Sequence, residues 1–275
     1  MVIRAALPHR ALVLAHYHPR GLLRSDTLGL IRAALDCCKR VILVSTRLES
    51  AAIAQLPHGV EVHTRDNIGY DFYSYRRGIL HLLSDTDTRA DLSEICLMNS
   101  SFICVDPERF LERLLQTINE QADCFGLVRS LEVAAHIQSY VVIFRRKVFL
   151  DPAVQDWWVK MVPLNERTQV IQAYEIGLSQ MLLRLGYRIH PAYDHQACIS
   201  ADVLRLSRAH GVDAVEINAR LNPSHFHWWN LLQEFSTLKI EVYKSNPFQL
   251  DLQPLRQLAR ADSKMRQLLE EGLQP

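Results

Sequence analysis

The sequence is poor in most of the features that mark specialised proteins, and each shortage excludes something. Its six cysteines, Cys37, Cys38, Cys96, Cys104, Cys124 and Cys198, form no CxxC pair, which argues against a structural zinc site. Most of them lie in apolar runs, where a thiol acts as a small hydrophobe, so free thiols in a reducing compartment are expected. No uninterrupted apolar run reaches the ~18 residues that suggest a membrane span. The apolar patches near the N-terminus are broken by His9, Arg10, His16 and His18, which is not a secretory leader. Neither sign of charge is in excess: 31 Lys and Arg stand against 30 Asp and Glu. A dedicated nucleic-acid binder normally carries a strong basic surplus, so no nucleic-acid partner is expected. Internal repeats and low-complexity linkers are also missing. What remains is a soluble cytoplasmic protein, free to work at the inner face of a membrane.

What is present is a large potential core. Hydrophobic residues make up 48% of the 275 positions, enough for one sizeable domain. In the first half, short apolar runs alternate with amphipathic stretches. The runs 10–17, 40–46, 59–65 and 94–101 read as buried strands, and 123–130 and 136–146 as two more. Between them, 25–39 has helical spacing with Ser25 or Asp26 as cap, and Asp106 with Pro107 opens another helix. Alternating strands and helices predict a mainly parallel sheet covered on both faces. Ligands of such sheets bind at the carboxyl ends of the strands. That rule directs attention to the loops that follow Val13, Val62 and Leu97. A charged helical tail, 251–275, reads as peripheral.

The second of these loops, after Val62, is the most suggestive: RDNIGYDFYSYRRGILHLL, residues 65–83. Asn67 and Gly69 tolerate unusual backbone angles, and a helix starts near Asp71. Its free N–H groups and dipole favour an anion such as phosphate. Asp71 is placed to cap that helix or to accept hydrogen bonds from a ligand. Ser74, Arg76 and Arg77 follow within two turns, and an arginine fork suits phosphate oxygens. A capped helix with aromatic packing accounts for the same spacing. A second feature is the helix 167–185, apolar around most of its circumference, with Glu175 in its middle. A carboxylate in that setting is either paired or functional; Arg145 and Arg146 are the structural partners at hand. Gln138 and Tyr140 share one face of the strand 136–146, and His225 lies beside two tryptophans.

The stretch DNIGYDFYSYRRGI resembles the signature of the rhamnan synthesis F family of bacterial polysaccharide glycosyltransferases. Five other segments resemble blocks of that family in the same order: residues 16–35, LMNSSF (97–102), HIQSYVVIFRRKVF (136–149), VIQAYEIGLSQMLLRLGY (170–187) and the NPSHFHWW…KSNPF ending (222–248). Together they cover about residues 10–250. The resemblance implies a GT-A-like, Rossmann-type α/β fold with a mixed, mainly parallel sheet flanked by helices. It implies a single catalytic domain over 1–250, with a nucleotide-sugar donor half at 10–130 and an acceptor half at 131–250. The implied activity is transfer of rhamnose or another hexose from a dTDP-, UDP- or GDP-sugar to a growing surface polysaccharide such as O-antigen. The implied partners are that donor, a lipid-linked glycan acceptor and other glycan-assembly enzymes.

The same resemblance distributes roles. His16, Tyr17, Asn67, Gly69, Asp71, Ser74, Arg76, Asn99 and Ser101 would bind the donor. Gln138, Tyr140 and Trp228 would contact sugar or acceptor, with Trp157, Trp158 and Trp229 as further sugar-facing rings. Glu175 would be the general base of an inverting displacement, an apolar setting being suited to that role. GT-A enzymes commonly hold Mg²⁺ or Mn²⁺ on carboxylates at the end of the fourth strand. Here Ser100 stands where the family pattern has Asp, which weighs against a metal; His225 is the other candidate for phosphate or metal. Two alternatives stay open: a retaining transferase, and a catalytically silent nucleotide-sugar-binding subunit.

Overall fold

The computed structural model of the protein describes residues 9–118 and 121–274. Ten strands are found among them: β1 (Arg10–His16), β2 (Arg40–Ser45), β3 (Val60–Thr64), β4 (Glu94–Asn99), β5 (Phe102–Cys104), β6 (Cys124–Ser130), β7 (His136–Ile137), β8 (Val141–Arg145), β9 (Ile189–Tyr193) and β10 (Thr237–Lys239). Eight of them form one sheet with β3, β2, β1 and β4 side by side and parallel, then β8, then β6 with β7 and β9 as its other neighbours. Strand β8 runs antiparallel to both β4 and β6, and β9 is parallel to β6. This is the mixed, mainly parallel sheet flanked by helices, in one domain, that the resemblance implied.

Period-two alternation explains the two-sided burial. Ala11, Val13 and Ala15 face one core, with Phe72, Tyr75, Ile79, Trp158 and Tyr174 from the helices Tyr70–Ser84, Pro152–Lys160 and the long helical run from Arg167. Leu12 and Leu14 face the other, with Ile31, Phe110 and Phe235 from the helices Ser25–Leu35, Pro107–Gln116 and Trp228–Phe235. Gly78 lets its helix lie close on β1: a Cβ there would come within 2.3 Å of Val13 Cγ1. That contact fixes the mouth of helix Tyr70–Ser84 beside the ends of β1 and β4.

Several sequence expectations are corrected. Asp106 does cap its helix, accepting from Arg109 N–H at 3.1 Å. Neither Ser25 nor Asp26 caps the helix Ser25–Leu35; Asp26 is buried against Arg24 and accepts from Cys104 N–H at 3.0 Å. Glu271, from the C-terminal helix Ser263–Leu273, instead accepts from Ser25 N–H at 2.7 Å and Oγ–H at 2.8 Å. The tail is therefore not peripheral: Leu255 and Met265 join Trp228, Leu238 and Val242 in a third core. The strand expected over 136–146 is interrupted at Gln138–Tyr140, and β5, β9 and β10 had no sequence signal strong enough to anticipate.

Candidate active site at the carboxyl end of the central strands

The mouth of helix Tyr70–Ser84 opens on two consecutive left-handed residues, Gly69 (φ 71) and Tyr70 (φ 53). Only glycine fits at 69, because an added Cβ would lie 2.8 Å from Tyr73 Cβ and 3.1 Å from Pro163 Cα. Arg65 holds the loop in place. Its guanidinium donates to the carbonyls of Asp66 at 2.7 Å and Ile68 at 2.5 Å, to that of Tyr70, and to Ser74 Oγ at 2.8 Å. Ser74 is thus a partner of Arg65. Arg76 is turned the other way: it donates to the carbonyls of Trp158 at 2.9 Å and Val159 at 3.0 Å, the last turn of the neighbouring helix. Cations are favoured at that end by the helix dipole. Arg77 and Asn67 are exposed, and the helix has no side-chain cap.

Asp71 does not cap the helix; it accepts from Asn99 Nδ2–H at 2.8 Å, across to the end of β4. Burial pushes its carboxyl up from 3.8 to about 6, against the pull of Lys239 and Arg65, with Glu175 adding to the rise. Asn99 Oδ1 in turn accepts from Ser101 N–H at 3.0 Å and Oγ–H at 2.6 Å. Lys239, at the end of β10, donates from Nζ to Ser101 Oγ at 2.9 Å and lies 4.1 Å from the Tyr140 ring centroid. Ser100 Oγ accepts from Tyr17 N–H at 3.2 Å. Tyr17 is half exposed, whereas His16 is buried between Ser45 Oγ (2.8 Å) and the Leu22 carbonyl (3.1 Å). His18 is buried and accepts the Arg20 and Leu22 amides on Nδ1.

Glu175 reaches the same place from the opposite side. It sits in a π-helical segment, Ile171–Ile176, within the run from Arg167 to Arg184. Such segments are rare and favour functional sites because the extra residue re-aims a side chain. Its Oε2 accepts from Ser139 N–H at 2.7 Å and from Ser139 Oγ–H, while Oε1 lies 3.7 Å from His136 Nε2. Ser139 lies in the interruption between β7 and β8, and its carbonyl accepts from Tyr75 Oη–H at 2.8 Å. Side chains therefore satisfy the backbone that the broken strand leaves unpaired. Arg145 and Arg146 are not the partners of Glu175: Arg145 pairs with Glu94 at 3.0 Å and Arg146 donates to the Leu92 carbonyl at 2.6 Å.

The NPSH segment closes the site. Asn222 Oδ1 accepts from Gln138 Nε2–H at 3.0 Å, Ser224 Oγ bonds Gln138 Oε1, and Tyr140 Oη lies 2.9 Å from Ser224 Oγ. Gln138 and Tyr140 thus hold this segment against the strand. His225 is buried with no hydrogen-bond partner on either ring nitrogen, its Nε2 3.7 Å from Glu241 Oε2. Burial pulls its pKa down to about 4, leaving the imidazole neutral. Glu241 is taken by Arg167 in a two-pronged pair at 3.0 and 2.8 Å. Trp228 belongs to the third core, with Nε1–H donated to Asp202 at 3.0 Å, and Trp158 is also buried. Trp229 is 37% exposed, and Trp157 lines a groove of about 320 Å³ with Met161, Tyr174 and Met181.

Sequence reasoning missed Arg65, Ser139, Arg167, Lys239 and Glu241. Only the charges of Arg65 and Lys239 next to recognised motifs were a usable signal. Among the described residues one trio has metal-ligand spacing, Glu61, His63 and His81. Glu61 and His63 lie on β3, at the edge of the sheet, and His81 on the helix Tyr70–Ser84; Arg40 already grips both Glu61 oxygens at 2.6 and 2.5 Å.

With that geometry in view, comparison with known proteins finds the rhamnan synthesis protein F family model matching residues 41–205. The chain belongs to the rhamnan synthesis protein F family. The match spans β2 to the helix after β9 and so includes Asp71, Asn99, Gln138 and Glu175. An uncharacterized protein of Sinorhizobium fredii, y4gN, is 28% identical over 195 residues, which are 69% of this chain and 50% of that relative. The chain therefore spans half the length of that relative. Among solved structures, 4-diphosphocytidyl-2C-methyl-D-erythritol synthase is similar with a TM-score of 0.43 and 13% identity, over 68% of this chain and 90% of that one. Glucosyl-3-phosphoglycerate synthase from Mycobacterium tuberculosis gives 0.42 and 14%, over 67% and 69%.

Proposed function

We propose that this family member transfers a sugar from a nucleoside diphosphate to an acceptor hydroxyl during assembly of a bacterial surface polysaccharide. The observation that carries the reading is the convergence of Asp71, Asn99, Ser101, Lys239 and Glu175 beside the uncapped helix mouth at Gly69. Donor binding falls to the half built by β1 to β4. Tyr17, half exposed at the end of β1, offers a ring to the base, and Asp71, Asn99 and Ser101 offer hydrogen bonds to ribose and phosphate. His16, Asn67, Gly69, Ser74 and Arg76 act by shaping and anchoring the loops around that site.

Acceptor binding falls to the half that follows, where Gln138, Tyr140 and the NPSH segment form one wall. Glu175 takes the acceptor proton on Oε1, Oε2 being held by Ser139. The acceptor oxygen then attacks the anomeric carbon as its bond to the diphosphate breaks, with inversion. A second reading gives the proton to Asp71, whose pKa of about 6 is closer to that of an effective base at neutral pH. The donor is a dTDP-, UDP- or GDP-linked hexose or deoxyhexose, rhamnose foremost, and the acceptor a lipid-linked glycan. No helix among the described residues is long and apolar enough to cross a membrane, so the acceptor is met at a surface or presented by another assembly enzyme.

Thermal-shift screening of the full chain against the three donor classes tests this reading, because a ligand that binds only the folded state raises its melting point. A several-degree rise with one class, and a product of inverted anomeric configuration by NMR, is the expected result. No shift at millimolar concentration with any of them would remove it, and binding without transfer would favour a silent donor-binding subunit.

A further inference from the structure

Transfer from a nucleoside diphosphate leaves extra negative charge on the departing diphosphate, and a GT-A-like site ordinarily offsets it with Mg²⁺ or Mn²⁺. Hard divalent ions require oxygen ligands that are free, and carboxylates among them. The end of β4 does not provide them. Asn99 Oδ1 already accepts two hydrogen bonds from Ser101, Ser100 Oγ accepts the Tyr17 amide, and Ser101 Oγ accepts Lys239 Nζ. None of the three residues has a carboxylate. A positive charge is also already there, and a divalent ion would have to sit beside it. The residues present do not fit a metal.

We infer that Lys239 is the resident cation of the donor site, and that the chain binds the diphosphate of its donor without a divalent metal. This rests on the reading under Proposed function. The placement is built by the fold: β10 pairs antiparallel with β5, setting Lys239 opposite Phe102, and Ile240 N–H donates to the Ser101 carbonyl at 3.1 Å. The ammonium is thereby fixed at the Asn99–Ser101 turn instead of ranging over the surface on its four-carbon stem. An ammonium has three donors and Ser101 Oγ occupies one, which leaves donors for phosphate oxygens. Burial pulls the pKa of Lys239 down from the ordinary lysine value, while Glu175, Asp71 and Glu241 favour its charged form. When the anomeric C–O bond breaks, the electron pair leaves with the β-phosphate oxygen, and the fixed ammonium lies where that charge grows. Ser100 thus offers no carboxylate for a metal, and Lys239 supplies a cation in its place.

The test is calorimetric titration of the full chain with UDP, dTDP and GDP, in EDTA and again in Mn²⁺ or Mg²⁺. The inference expects a dissociation constant that changes less than about threefold between these conditions. It expects Lys239→Met to weaken binding at least tenfold in EDTA and Lys239→Arg to retain most of it. Ser101→Ala, which removes the anchor of Nζ together with the Oγ–H bond to Asn99, gives a smaller loss and serves should Lys239→Met fail to fold. Binding by the unmodified chain that needs a metal, or unaltered binding by the Lys239 and Ser101 variants, would overturn the inference while leaving the transferase reading intact. Failure of all three diphosphates to bind under either condition would remove both.

Discussion

Strand β4 has a buried polar residue at each end, and the two ends are built on opposite principles. At its start, Glu94 is 1% exposed and is gripped by two guanidinium groups, Arg10 at 2.8 Å through Nε and Arg145 at 3.0 Å. One anion faces two cations, and the cluster is closed. At its end, Asn99 is buried too, but the carboxylates there, Asp71 and Glu175, have no direct ion pair with a lysine or arginine among the described residues, and Lys239, Arg65 and Arg167 act on Asp71 without touching it. The two carboxylates and Lys239 bond instead to neutral groups, Asn99, Ser101 and Ser139. The first arrangement pairs both carboxylate oxygens of Glu94 with guanidinium groups, and only Arg10 Nη1 is left without a partner there. The second leaves Asp71 without a direct ion pair, and burial pushes its carboxyl up to about 6 against the pull of Lys239 and Arg65. A buried ion cluster used for structure is paired to saturation; one used for chemistry retains unspent proton affinity and open donors.

This contrast can be broken or sharpened in four ways. The largest effect is expected on rate. Glu175→Gln should lower transfer ~10²–10⁴-fold, yet barely move the melting temperature, since the amide oxygen can still accept from Ser139. Loss of stability without that loss of rate would make Glu175 structural, like Glu94. Second, Glu94→Gln should cost about 3–5 kcal/mol in urea denaturation, because two arginines are left with no anion, while donor affinity of the folded fraction is unchanged.

Third, Asp71→Asn should do the opposite at the other end. Its carboxyl is held near 6 when folded and near 3.8 when unfolded, so ionising it costs stability as pH rises between those values. The penalty is absent below pH ~4 and complete above ~7, and a displacement of this size corresponds to roughly 3 kcal/mol. Asp71→Asn should therefore be more stable than the parent at pH 8 by up to that amount, with the advantage gone at pH 4, and transfer should be severely reduced. Equal stability at pH 8 would mean that the two ends of β4 do not differ as argued. Fourth and smallest, Gly69→Ala should cost ~1–2 kcal/mol from left-handed backbone alone, and weaken donor binding several-fold in titration as the loop held by Arg65 shifts.

How much of this was legible beforehand depends on the range of the interaction. The parallel core strands were readable because each is a local apolar run, and the helix opened by Asp106 and Pro107 because capping chemistry is local too. The glycine-hinged mouth at Gly69 was placed correctly, since a positive φ leaves a mark in sequence. Asp71 as a cap was not, because its partner Asn99 lies on another strand. Arg76 was read as facing a phosphate from its position on the helix alone, whereas the carbonyls of Trp158 and Val159 decide its direction. Nothing local marks the interruption at Gln138–Tyr140 or the π segment around Glu175, as both depend on backbone groups finding side-chain partners from elsewhere.

The sequence by itself determined the elements, the glycine at the hinge and the chemical inventory, including a serine at position 100. Periodicity and residue identity are properties of neighbours along the chain. Only the tertiary structure decided which charges confront one another: it brought Lys239 to Ser101 across 138 residues and set Glu175 against Ser139. Electrostatic and hydrogen-bond energies depend on distance in space, and sequence separation carries no record of that distance until the sheet has closed.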